Sequence, residues 1–196
     1  MYGTKRKERL EDGRVKGAIL LAHLDWARQN IGSDAVELIA ERIPGELSPQ
    51  LTEGVLASQW IPFSLLIETD RAIAALCGKT QSATFRLLGR HSAKLNLTTT
   101  YRAFLRTDIE KFLKHEALQR KQFVDFGEAT VEKKEDRHFA ITISRTRTFS
   151  PVFCESAVGY YEAACELLGA RDVIVRHTAC LCRGEDTCVF DIVWSK

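Results

Sequence analysis

Four soft metal-type donors crowd the last third of the chain, and they constrain the fold more tightly than anything before them. Cys154 to Trp194 reads CESAVGYYEAACELLGARDVIVRHTACLCRGEDTCVFDIVW. Cys154, Ala157, Tyr161, Ala164 and Leu168 recur three and four apart, so Cys154 shares the core-facing stripe of an amphipathic helix. LGARD breaks that helix, and Asp172 to His177 alternates as a strand. In a flat strand His177 and Cys180 point to opposite faces. They converge only if the backbone bends, and Thr178-Ala179 is where the bend is expected. The turn Arg183 to Thr187 then returns Cys188 alongside.

Cys154, His177, Cys180 and Cys188 therefore read as a closed four-donor set of the kind that holds a structural zinc ion, Zn2+. Reduced, partly buried thiols without metal, or a disulfide, are the competing readings. Cys182 is expected outside the set. Six cysteines without a leading secretory signal point to a reducing, cytoplasmic setting, where clustered thiols bind metal more often than they pair.

Upstream, the period is helical. It begins at Val15, pauses at Gly32-Ser33 and Pro44-Gly45, and resumes at Ser48-Pro49. The aromatic turn Trp60-Ile61-Pro62-Phe63 opens a long helix through Leu76. Ser82 caps another to about Leu95, and Tyr101 to Leu118 is helical with a break at Thr107-Asp108. From Phe123 the period changes to two. Val124 to Phe126 and Ala129 to Val131 are strand-like, Lys133 to Asp136 reads as a hairpin turn, and Phe139, Ile141 and Ile143 mark a half-buried strand. Ser150-Pro151 caps the helix that carries Cys154. The predicted class is α+β, with a helical half (15–118) packed on a four-stranded antiparallel sheet and its crossing helix (119–196). Residues 1–14 read as a flexible basic tail on a single domain.

Apolar residues make up 45% and charged residues 28%, with a formal charge of +2, which favours neither nucleic acid nor an anionic membrane as partner. No run reaches the roughly 18 apolar residues of a membrane span. Trp60, Phe63, His91, Tyr101, Phe104, Phe123 and Phe126 are candidates for a pocket taking an apolar or aromatic small molecule, or else are simply core. His23 and His91 read as core or surface histidines. Cys165 and Cys77 have no activating base, and no phosphate loop or dinucleotide fingerprint is present.

The terminal motif HTACLCRGEDTCVFDIVW, with Cys154 upstream and SQWIPFSLLIE in the helical half, resembles the 4-vinyl reductase domain. That small-molecule-binding domain also fronts bacterial aromatic-responsive activators and is related to haem-NO-binding proteins and TRAPP subunits. The likeness runs from Val15 onward and is widest to a bacterial subgroup of about 200 residues with no settled activity. It implies a zinc held at Cys154, His177, Cys180 and Cys188 around the Gly184-Glu185-Asp186 turn. His177 stands where the aromatic sensors have a glutamate, and Cys182 where they have a small residue. The Tyr-x-Ser-x-Arg motif of the haem-NO-binding relatives is missing, since Tyr101 is followed by Arg102-Ala103-Phe104-Leu105. The expected function is a zinc-stapled ligand-binding or sensory domain without its own output domain, acting as a homodimer or through a partner. Alternatives are an accessory or enzyme in tetrapyrrole chemistry and an interaction scaffold; the hydride machinery of an enzyme is not legible.

Overall fold

The computed structural model describes residues 8–10, 13–78, 80–99 and 102–195, with the side chains of 104 and 105 left out. Seven α-helices are described: α1 Gly17–Asn30, α2 Ala35–Ala40, α3 Ser48–Thr52, α4 Phe63–Leu76, α5 Gln81–Thr98, α6 Ile109–Gln119 and α7 Pro151–Leu167. Six strands accompany them: β1 Arg14–Lys16, β2 Trp60–Pro62, β3 Glu128–Glu135, β4 His138–Ser144, β5 Arg171–Ala179 and β6 Cys188–Ser195. β3 to β6 form one antiparallel sheet in the order β3-β4-β6-β5. The expected α+β architecture is the observed one.

Local chemistry sets several boundaries. Asp108 caps α6 by accepting from the Lys111 amide at 2.8 Å, which is why the helical run breaks there. Ser150 caps α7 by accepting from the Val152 amide at 3.3 Å, with Pro151 at the first helical position. The register of β5 against β6 shifts between His177 and Ala179, so the bend lies where the convergence of His177 and Cys180 required it.

The helical half differs from expectation at its entrance. Arg14–Lys16 is a strand, paired antiparallel with Trp60–Pro62, rather than the first turn of a helix. On its other side it meets the segment around Val124: Lys16 donates to the Phe123 carbonyl at 2.8 Å, and Asp125 donates to the Arg14 carbonyl at 3.1 Å. Only an isolated bridge forms there, so the sheet proper starts at Glu128. Of the expected tail, residues 1–7 and 11–12 lie outside the described residues, while Arg9 exchanges backbone hydrogen bonds with Phe149 at 2.8 and 2.7 Å.

Two apolar clusters make the core. One fills the helical half around Leu20, Ile39, Phe63, Leu66 and Leu88; the other lies between α7 and the sheet around Phe139, Ile141, Val158 and Ile192. Burying each such side chain contributes about 1.5–3 kcal/mol. The clusters are joined by α5 and α7, which touch backbone to backbone. A Cβ at Gly89 would stand 1.8 Å from the Ser156 carbonyl oxygen, and one at Gly159 would stand 2.0 Å from that of Arg86. Only glycine allows this approach. Arg86 and Arg90 on α5 then reach Glu155, Glu162 and Glu166 on α7 across the seam.

Candidate functional site

The four terminal donors come together. Cys154 lies in the first turn of α7, His177 on β5, Cys180 just beyond it and Cys188 at the start of β6. One ligand atom from each lies within 4.8 Å of all the others. Cys154 Sγ is 3.8 Å from Cys188 Sγ. His177 stacks on Phe190 with ring centroids 4.6 Å apart, and its Nε2 is buried without a hydrogen-bond partner among the described residues. Gly184, at φ 94°, turns the chain after a 3-10 segment at Leu181–Arg183, a conformation that favours glycine. The Glu185 carboxylate accepts from the Cys180 amide, closing the loop. Cys182 is buried beside the set; its amide donates to Cys180 Sγ at 3.3 Å. Hydrogen bonding from Cys154, then from Cys182 and Cys188, holds the Cys180 thiol well below its ordinary range, while donation to Cys180 pushes Cys154 up.

The described members of the expected aromatic set do not share one pocket. Trp60 is half-buried on β2, with Lys16 Nζ 4.1 Å from its ring centroid. Phe63 packs edge-on against Phe126 and Phe153, at centroid distances of 4.8 and 5.3 Å. His91 Nε2 lies 2.6 Å from Asp25 Oδ2. Phe104 belongs to a 3-10 segment, Arg102–Arg106, and Tyr101 lies outside the described residues. Among the described side chains of the set, Phe123 alone lines the larger cavity, whereas Phe126 lines a smaller one beside Cys188.

That larger cavity, of about 110 Å³, lies between α1, α5, α6 and α7 and is partly open. Ile19 and His23 face it from α1, Ser92 and Asn96 from α5, Phe112, His115 and Glu116 from α6, and Phe153, Ser156 and Tyr160 from α7. His23 is wholly buried, and its Nδ1 is 2.7 Å from Asp70 Oδ1 on α4, an equally buried carboxylate. His23 Nε2 and Asp70 Oδ2 have no partner among the described residues. Burial pushes the Asp70 carboxyl up, against the lowering effect of His23. Burial likewise raises Glu116 and Tyr161. The sequence held one signal of this pair: Asp70 sits on the apolar helix FSLLIETDRAIAAL, and His23 within AILLAHLDW.

No protein-family model matches the chain, and no curated protein matches it in sequence. Solved structures do match in fold. An H-NOX protein from Shewanella oneidensis in the Fe(II)NO state superposes with a TM-score of 0.71 at 16% identity, covering 92% of this chain and 99% of that one. An oxygen-binding H-NOX domain related to soluble guanylate cyclases, in its oxygen complex, gives 0.68 at 12% identity over 92% and 95%. The unliganded Fe(II) H-NOX protein from K. algicida gives 0.67 at 12% identity over 92% and 97%. At these identities the likeness establishes the fold.

These findings correct two expectations. The resemblance to the 4-vinyl reductase domain is overturned, because the neighbours are H-NOX domains. The structural zinc is overturned with it: the neighbours' descriptions name Fe(II) and, in one case, heme. A cluster of cysteines and histidine does not by itself identify zinc.

The group implied by the fold is then haem, and the cavity tests it. Nitrogen ligands are not lacking, since His23 and His115 both line the space. Room is lacking. Pockets for drug-sized molecules span about 300–1,000 Å³, and this cavity has about 110 Å³. Its α5 and α7 walls are pinned by the glycine seam. A porphyrin does not fit these residues as they pack.

Proposed function

We propose that the chain is a small-molecule-binding sensory domain whose ligand site is the cavity between α1, α5, α6 and α7. One observation carries the reading: a largely apolar, partly open space lies between four helices, and a fully buried imidazole whose outer nitrogen has no partner among the described residues stands in its wall. Buried polar atoms are rarely left without a partner in folded proteins, and a water, an ion or a guest can serve such an atom. The neighbours support a small ligand, since their descriptions name NO, CO and oxygen complexes. The reading takes residues 15–196 as one domain, places it in the cytoplasm, and has output pass through a partner or a second copy. Among the described residues no helix is long and apolar enough to cross a membrane.

Thermal unfolding against a panel of small guests tests it. A ligand at about 100 times its Kd stabilises by about 2.7 kcal/mol, or roughly 5–11 °C for a chain of this size. Ala157→Leu, which fills the cavity from α7, should remove the shift. Absence of any shift in the native protein would refute the assignment.

The set Cys154, His177, Cys180 and Cys188 is proposed as a site for a thiophilic metal ion, supported by the convergence of its donors. Elemental analysis identifies the ion and shows whether Cys188→Ala loses it; six freely titrating thiols in metal-free folded protein would refute the site. Homodimerisation through the helical half, which is rich in apolar residues such as Trp26, Leu38, Ile39 and Leu66, is part of the proposal. Trp26, Ile39 and Leu66 are buried in the chain's own core, which leaves exposed Leu56 and Leu118 as its support. Sedimentation as a monomer at micromolar concentration would end it.

A further inference from the structure

Leu56 and Leu118 are the most exposed large apolar side chains among the described residues, 72% and 82% open to solvent. An exposed leucine standing alone needs no explanation. These two are tied to each other by β1. β2 and the segment around Val124 flank β1, and both run antiparallel to it. They therefore run parallel to each other and start at the same end of β1, where Lys16 pairs with Trp60 and donates to the Phe123 carbonyl. Leu56 lies just before β2 and Leu118 just before Phe123, so both approach from beyond that end. Neighbouring strands are about 4.8 Å apart, which sets the two approaches roughly 10 Å from each other. Gly17, the next residue along, holds the Leu56 backbone close: an added Cβ would stand 2.2 Å from the Leu56 carbonyl oxygen. The half-buried Trp60 stands at the same end, with Lys16 Nζ 4.1 Å from its ring centroid.

The two leucines carry surroundings of opposite sign. Residues 44–56 hold Glu46 and Glu53, both exposed, and no basic residue. Residues 117–122 hold Arg120 and Lys121 and no acid, and Lys121 is exposed. Lys111, Lys114 and Leu118 recur three and four apart on the outer face of α6, whose inner face buries Phe112 and Leu113. Asp108 and Glu110 pair with those two lysines, so Lys121 supplies the charge beside Leu118. A surface with leucine and acid on one side and leucine and base on the other complements itself when turned by 180°. A half-exposed tryptophan between them is the kind of residue that anchors such contacts.

We infer that this surface receives a second copy of the chain across a two-fold axis, with Leu56 and Glu53 of each protomer against Leu118 and Lys121 of its partner. The inference rests on the homodimer proposed above and assigns it a face. Opposed charges set the register, and the leucines and Trp60 supply the apolar contact.

Sedimentation velocity of the full chain tests it through charge reversal. In Glu53→Lys two lysines oppose each other at both ends of the interface, and in Lys121→Glu two glutamates do, so each variant alone should dimerise about tenfold or more weakly than the native protein. An equimolar mixture of the two variants restores opposite charges at both ends and should dimerise as the native protein does. Leu118→Asp should weaken the dimer by a similar factor. All three positions are exposed, and circular dichroism checks that the variants stay folded. A native dimer that the reversals and Leu118→Asp leave unchanged, or that mixing fails to restore, overturns this face and leaves the dimer itself standing. A native protein that stays monomeric at micromolar concentration ends both.

Discussion

Replacing Gly159 by alanine places a Cβ 2.0 Å from the Arg86 carbonyl oxygen and 2.8 Å from its carbonyl carbon. Both obstacles are backbone, so no rotamer change relieves them. Real Cβ contacts do not fall below 3.0 Å, and α5 and α7 must therefore separate by about 1 Å along their seam. Alanine returns about 1 kcal/mol of helix propensity. Overpacking costs about 1–3 kcal/mol, and a clash of backbone against backbone belongs at the upper end. The net expectation is a loss of about 2 kcal/mol, which lowers Tm by roughly 4–8 °C in a chain of this length. Urea unfolding followed by circular dichroism measures it. Gly45→Ala is the control, since nothing lies within 4 Å of its added Cβ. Gly89→Ala should cost a similar amount, and the double variant less than the sum, because one separation relieves both clashes. A Gly159→Ala protein as stable as the native one would refute the backbone seam and the argument that the cavity walls are pinned.

Asp70→Asn should change the pH dependence of stability. The folded Asp70 carboxyl titrates above its ordinary value of 3.8, so its contribution is full below that value and is lost as pH rises through the folded one. Native stability should fall relative to Asp70→Asn as pH rises above about 4 in parallel urea melts; a constant difference counts against the buried pair. Ser150→Ala removes the α7 cap and should cost about 1 kcal/mol, read as a Tm lower by about 2–4 °C. Cys77 is half-buried while the other five thiols are buried, and burial raises Cys165 to about 12. A thiol reagent should therefore modify one cysteine rapidly in the native protein and all six after denaturation.

Much of the terminal half was legible because its causes are local. Ser150-Pro151 and Asp108 cap helices through bonds spanning two or three residues. The bend near Thr178-Ala179 follows from the alternation of a strand. Three of the four clustered donors lie on one hairpin, and the fourth opens the helix packed upon it.

What the sequence left undecided depends on pairings that no local rule reaches. β1 and β2 are three residues each, too short for a period to show, and they meet because the chain returns 46 residues later. His23 and Asp70 are 47 residues apart, so neither reads as half of a pair. Gly89 and Gly159 look like weak points in their helices until the helices cross at them. The aromatic residues expected to line a pocket were chosen by type, yet the cavity forms where four helices fail to fill the space between them. Composition and period determine which face of an element seeks the core. Only the closing of the chain decides which buried faces meet, and what room is left between them.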